Sequence, residues 1–440
     1  MSDTVREHGS RVLLDEAARR GADCEVWSVR RETEEVVCRG GAVERRSDVV
    51  SGSTAVTVWC DGAEGYAVQA LPDSADPSLV RSALAVGRAL PARVVAPDHP
   101  PAVPDGPVRA VHRPRLDEAT VGAVRWLSEA RAGLDIELRA RAERSSVRLH
   151  RQGGEARGYR TGLFQLQARV TSTTADGVGF VSHQAFGDRA AVPLGEAVHR
   201  DLPELCALAD VLAAPPVAEL RYDDVLVTGW VMVKLLALVV PAFQLDTVRE
   251  GRSPLAGRTG QRVCAPGVDL VDDPAAPEYP LAAPWDDEGT PAGAAALVTD
   301  GVLHRFLGHR RSAPGPAGRG SGWRGASGEM PRVGPSHLSL RPGPALGGQP
   351  RDGRTLLRVV QANGAHTSNG ITGDFSIGAN AVLEEPGGLC RNAGGITLAG
   401  NVFELLRRIE GHDGAVRVSR SHTAFLTSPG VWADHLTIGR

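Results

Sequence analysis

The chain has 440 residues, 42% of them hydrophobic and 23% charged, which is ordinary for a soluble globular protein with room for two or three domains. Its 49 basic and 52 acidic residues leave a net charge of −3, so no bulk field points to nucleic acid or an anionic membrane. Lysine occurs only at Lys234, all other basic residues being arginine; with 52 Gly and 30 Pro, this skew reads as genome composition bias.

The opening residues are polar and predict an amphipathic helix over 5–20, with Val12, Leu13, Leu14 and Ala17 towards one face and Gly21 ending it. Such a start is not a signal peptide, and the expectation is a cytoplasmic protein. Alternating segments follow: "CEVWSVR", "EEVVCRGGAVERR" with a Gly-Gly turn, and "STAVTVWCDGAEGYAVQ" with an Asp-Gly turn. A second helix is expected over Pro77–Leu90. Helix, meandering strands and helix make residues 1–95 an α+β unit with a mostly antiparallel sheet, like an α/β sandwich.

Residues 96–115 lie in a proline-rich stretch that reads as a linker. A central α+β region, 116–217, has a helix over Leu116–Gly133, strands at "IELRARAERSSVRLHR" and "LFQLQARVTSTT", and a helix over Gly195–Ala214. A β-rich C-terminal domain, 218–440, opens on the apolar run Val231–Phe243. That run holds Lys234 and Pro241 and falls short of the ~20 residues a bilayer needs, so it reads as a buried core helix. The glycine- and proline-rich first half of Arg311–Gly348 holds no regular structure in this reading; such a loop is a lid, a binding loop or a disordered segment. Six scattered cysteines, with no C-x-x-C pair, read as reduced and mostly buried thiols.

Most familiar chemistry is excluded by inspection. A P-loop needs a Gly-Lys pair, and the sole lysine follows Val233. The run "GSGWRG" (Gly320–Gly325) matches G-x-G-x-x-G but lies inside the Gly/Pro loop, so chance explains it. No histidine is followed by glutamate, as a zinc peptidase helix requires. His304 and His309 are five residues apart, about 140° apart around a helix and on opposite faces of a strand, and read as solvated positions. His337, His366, His412, His422 and His435 share no ligand spacing. The acidic runs Asp223–Asp224, Asp272–Asp273, Asp286–Glu288 and Glu384–Glu385 point alternately, and "WDDEGTP" and "VDDP" read as turn chemistry.

The run "GDFSIGANAVLEEPGG…GGITLAGNVFELLRRI" resembles the signature of the TldD/TldE (PmbA) family of peptidase-related proteins. The opening helix and hairpins, "SPLAGRTGQRV", "WDDEGTPAGAAALVTDGVLHRFL" and "VGPSHLSLRPG" match that family in order, so the resemblance covers nearly the whole chain. It implies two kinds of member. TldD-like chains carry an H-E-x-x-x-H helix and a distant cysteine that together hold zinc; TldE-like chains lack those ligands and pair with the first kind as a heterodimeric peptidase. Here the corresponding helix, "GWVMVKLLALVVPAFQLD", offers Leu, Ala and Val, and the tail has no cysteine.

The chain therefore resembles the TldE-like member. The resemblance implies no cofactor in this chain, zinc in a TldD-like partner, and a peptide substrate. It also implies that Thr372, Gly373, Asp374, Phe375, Ser376 and Asn380 border a substrate cleft, with Asp374 and Ser376 on one face. Two alternatives stay open. One is a stand-alone peptide- or metabolite-binding module; the other is a specialised hydrolase rebuilt from His304, His337 or His366 with Asp374.

Overall fold

The computed structural model describes residues 3–71, 74–89, 133–154, 156–187, 194–274, 282–313, 320–325, 327–343, 346–347, 353–364, 368–421, 424–433 and 435–440. The linker expected at 96–115 and the helix expected over Leu116–Gly133, apart from Gly133, fall outside these residues, as do His366 and His422.

Helix α1 (Asp3–Arg19) leads into strands β1 (Asp23–Arg39), β2 (Ala42–Cys60) and β3 (Ala63–Gln69), followed by α2 (Ser78–Ala89). β4 (Leu134–Arg151), β5 (Arg157–Thr173) and β6 (Val178–Gly187) come next, then α3 (Leu194–Ala213). The six strands form one antiparallel sheet in the order β3-β2-β1-β4-β5-β6. Because β1 pairs with both β2 and β4, strands expected in the units 1–95 and 116–217 lie side by side in one sheet. The two segments expected at 24–30 and 34–39 are a single strand. Arg30–Glu35 holds no Gly, Pro or Asn to break it, and its charges pair across the ladder, Arg144 with Glu34 among them.

The helices cover one face of this sheet. Leu13 and Ala17 of α1 and Val80 and Leu84 of α2 pack on Val26, Val56 and Val58, while Leu202, Cys206 and Ala209 of α3 pack on Ile136 and Leu138. Gly65 lets α2 approach: a Cβ there would lie 1.9 Å from the Ala83 carbonyl oxygen.

The C-terminal part begins with β7 (Asp224–Val227), α4 (Gly229–Val239), a 3₁₀ turn (Val240–Phe243) and α5 (Leu245–Arg249). Pro241 cannot supply an amide donor to continue the α-helical ladder, so the helix tightens into that turn. Strands β8 (Val268–Asp272), β9 (Ala295–Thr299), β10 (Val302–Leu303), β11 (Gly322–Trp323), β12 (Arg332–Val333) and β13 (His337–Pro342) follow. Then come β14 (Leu356–Asn363), β15 (Asp374–Glu384), β16 (Cys390–Asn401), α6 (Val402–Arg407), β17 (Gly411–His412), β18 (Arg417–Ser421), β19 (Ala424–Ser428), β20 (Val431–Trp432) and β21 (Thr437–Gly439). They build a seven-stranded sheet, β17-β20-β7-β14-β15-β16-β21, and a six-stranded sheet, β10-β9-β8-β13-β19-β18. Helix α4 packs between them, against β14, β18 and β19. Its Val231, Met232, Leu235, Leu236 and Val239 are at most 0% exposed and join one large core.

The architecture is α+β and β-rich, as the sequence pattern indicates. No helix among the described residues is long and apolar enough to cross a membrane.

Candidate functional site

Helix α4 turns two chemistries to two sides. One side is core; the other, with Lys234, Ala237 and Leu238, borders a cleft of about 980 Å³. The opposite walls are the edge strand β18 and the segment Trp323–Pro335, which contains β12. That segment falls in the stretch Arg311–Gly348, where a short ribbon, β11 with β12, gives order among the described residues. Hydroxyls of Ser327, Ser419 and Ser421 and the charged groups of Lys234, Glu329, Arg332 and Arg420 line the cleft, with no His, Cys or Asp among the lining residues.

Each charged group has a traceable environment. Glu329 accepts from Ser327 Oγ at 2.8 Å and lies 3.9 Å from Arg332. Arg420 lies 3.3 Å from Glu143, whose buried carboxylate also meets Arg141 at 3.4 Å and Arg31 at 3.6 Å. Burial pushes Glu143 up, but these arginines outweigh it and hold it below the usual carboxylate range. Lys234 Nζ donates to the Ala362 carbonyl oxygen at 2.5 Å, and partial burial lowers its pKa from the ordinary lysine value.

The six residues expected at a cleft lie elsewhere: none lines this one. Gly373 has φ 81°, and a Cβ there would stand 2.5 Å from Phe403 Cδ2, so only glycine fits the turn. Asn401 caps α6 by accepting from Phe403 N (3.0 Å) and Glu404 N (3.3 Å), and donates to Thr372 O and Asp374 Oδ1, both at 2.8 Å. Hydrogen bonds from Asn401 and Thr372 hold Asp374 below the usual carboxylate range. Phe375 is core, Asp374 and Ser376 share the exposed face of β15, and Asn380 donates to Gln361 at 3.2 Å. The turn does approach the cleft helix: a Cβ on Gly370 would sit 3.4 Å from Leu238 O and 3.5 Å from Pro241 Cγ.

The described histidines sit in separate settings. His304 is exposed. His309, expected to be solvated, is instead buried, with Nδ1 2.8 Å from Ser312 Oγ and Nε2 3.8 Å from Asp246. His337 is buried, stacked on Phe425 with ring centroids 5.2 Å apart, and Ser336 Oγ lies 3.0 Å from its Nδ1. Among the described residues no group of three or more His, Cys, Asp or Glu side chains is arranged to hold a metal ion.

The acidic runs read as turns do more than turn. Asp286 does accept locally, from Glu288 N (3.1 Å) and Thr290 N (2.9 Å), but its Oδ2 also takes Gly322 N at 2.9 Å. Asp287 accepts from Trp27 Nε1 of β1 at 3.0 Å and from Arg324 N at 2.7 Å. Glu288 accepts from Arg310 N at 2.7 Å, and Arg310 reaches Glu25 at 3.3 Å, beside Arg151 at 2.8 Å. The Arg324 guanidinium lies between the Trp27 and Tyr66 rings, 5.2 and 5.4 Å from their centroids.

All these acids are buried, and the seam joins the first sheet to the C-terminal part. Burial and the neighbouring Glu288 push Asp286 up to about 8; burial also raises Asp287. Burial works the same way on Glu25, but Arg310, Arg151 and Arg324 overcome it and hold it low. The "GSGWRG" run belongs here too, as a strand packed on carboxylates. Likewise Asp272 is buried, accepts from Ser336 N (2.9 Å) and His337 N (2.7 Å), and is raised by burial to about 7. Trp27 and Arg324 were not singled out from sequence, because their partners lie some 260 and 299 residues away.

Fold and cleft together define an α+β protein of sheet-based layers, with a helix-walled groove whose lining carries a single carboxylate, Glu329, and no His, Cys or Asp. A model of the PmbA/TldA metallopeptidase C-terminal domain matches residues 221–440, and the chain belongs to this PmbA/TldD family. It is 32% identical over 177 residues to a metalloprotease of Archaeoglobus fulgidus, covering 38% of this chain and 40% of that one. It is 28% identical over 229 residues to a metalloprotease TldD homolog of Haemophilus influenzae, covering 50% and 45%. The matches thus span less than half the length of these two relatives.

Among solved structures it is similar to TldE from Thermococcus kodakarensis, with a TM-score of 0.75, 17% identity, and 100% and 99% of the two chains covered. A putative modulator of a DNA gyrase from Thermotoga maritima gives a TM-score of 0.73 at 20% identity, covering 98% and 100%. These likenesses establish the fold.

Proposed function

We propose that this chain is the TldE-like, metal-free subunit of a two-chain metallopeptidase, holding unfolded or precursor peptides for a zinc-bearing TldD-like partner. One observation carries the reading: α4, the helix where zinc-holding family members would present H-E-x-x-x-H, is hydrocarbon on its core side and offers Val233, Lys234, Ala237 and Leu238 to the cleft. Zinc requires three protein ligands with lone pairs plus an open position, and aliphatic groups have none. The residues present do not fit the metal. No step of bond cleavage is assigned to this chain, whose cleft can bind and orient but holds no imidazole or thiol to activate water.

The experiment is reconstitution. Co-expression with a TldD-like chain should yield a stable complex that cleaves an unfolded peptide, with zinc in one chain per pair. The partner alone should cleave more slowly. Failure to associate, measured by size-exclusion chromatography with light scattering, would contradict the proposal.

A further inference from the structure

Of the cations lining the large cleft, two are already engaged: Arg420 with Glu143 at 3.3 Å and Arg332 with Glu329 at 3.9 Å. Lys234 differs. Its hydrogen-bond partner is a neutral carbonyl, Ala362 O, and no carboxylate pairs with it among the described residues. An ammonium carries three donors, so two remain for a ligand. The surrounding helix surface, Val233, Ala237 and Leu238, is apolar, which strengthens any charge interaction made there. It is also the chain's only lysine.

We propose that Lys234 is the anchor of a carboxylate-binding subsite: the cleft takes an extended peptide whose carboxylate docks on this ammonium while its side chains lie on the apolar wall. The carboxylate comes from a peptide C-terminus or from an acidic side chain. Lys234 is exposed to the cleft, so its remaining donors are open to an anion that enters there. The inference rests on the reading of the cleft as a peptide groove but not on the partner subunit.

The test is isothermal titration of the purified full chain with three N-acetylated probes: penta-alanine as the free acid, its C-terminal amide, and the amide with one alanine replaced by aspartate. The free acid is expected to bind at least tenfold more tightly than the plain amide. Tight binding of the aspartyl amide assigns the side chain as an accepted source; binding as weak as the plain amide assigns the terminus. Lys234→Met should erase the preference, while Lys234→Arg should retain part of it. If peptides bind regardless of their carboxylate, the lysine assignment falls and the peptide groove stands. If no peptide binds, both fall. If a folded Lys234→Met or Lys234→Gln variant keeps the preference, the lysine assignment falls.

Discussion

Helix α4 and the Trp285–Gly289 turn carry opposite chemistry into opposite settings. The turn is the most acidic short run of this region, yet Asp286, Asp287 and Glu288 are at most 6% exposed and serve to join the first sheet to the C-terminal part. The helix is the most apolar run of the chain, yet one side of it walls the open cleft. Buried charges persist in the first case because each finds hydrogen-bond partners; apolar side chains face the cleft in the second because no metal-binding set stands there. Polar sequence is therefore a poor guide to the site in this protein, and an apolar stretch carries the functional information.

The largest expected effect comes from breaking the seam. Arg324→Leu removes a guanidinium only 1% exposed from beside Glu25 and from the faces of the Trp27 and Tyr66 rings. Urea unfolding should register a loss of about 3–5 kcal/mol. On the helix, Leu236→Ala opens a cavity in the core and should cost about 2–5 kcal/mol by the same measurement. If it costs under about 1 kcal/mol, the packing described for α4 is wrong.

Gly373→Ala should cost about 1–3 kcal/mol, since the turn needs positive φ and Phe403 occupies the Cβ position. A lesser loss would mean that the turn relaxes.

Acidity sharpens the comparison further. Asp286 and Asp272 have folded-state pKa values raised to about 8 and about 7, above their unfolded values near 4. Between those limits the folded state binds more protons. Their contribution is full below pH ~4 and is lost as pH rises through about 7 to 8, with a slope of up to about 1.4 kcal/mol per pH unit per group. Glu25, held low, acts oppositely and only at acid pH, where its contribution disappears as pH falls. Asp286→Asn should flatten the decline of melting temperature between pH 5 and about 8; an unchanged slope would place that proton elsewhere. The smallest effect is at the cleft wall: Leu238→Ala, only partly buried, should shift stability by less than about 1 kcal/mol.

Local pattern made much of the fold legible. Gly-Gly and Asp-Gly turns mark the β1–β2 and β2–β3 hairpins, with Gly40, Gly41, Asp61 and Gly62 all at positive φ. Helical periodicity located α1, and a short apolar run located α4. β6 went unseen because "VGFVSHQAFG" mixes glycine and polar residues without clean alternation. The seam was hidden for a different reason: Asp287 and Trp27 are 260 residues apart, and no local spacing encodes their contact. The cleft was only half legible. The missing ligands in α4 are visible in the letters, whereas the pairing of that helix with β18 and with Trp323–Pro335 exists only in three dimensions. Thr372 to Asn380, chosen by motif, form a turn and the first part of β15.

The central claim is that α4 leaves this chain without the means to hold a catalytic metal. Zinc content by mass spectrometry of the purified chain, taken alongside cleavage of an unfolded peptide, tests it most directly. Sub-stoichiometric zinc and no cleavage by the chain alone, with activity restored on adding a TldD-like partner, is the expected result. One zinc per chain with cleavage in the partner's absence would contradict it.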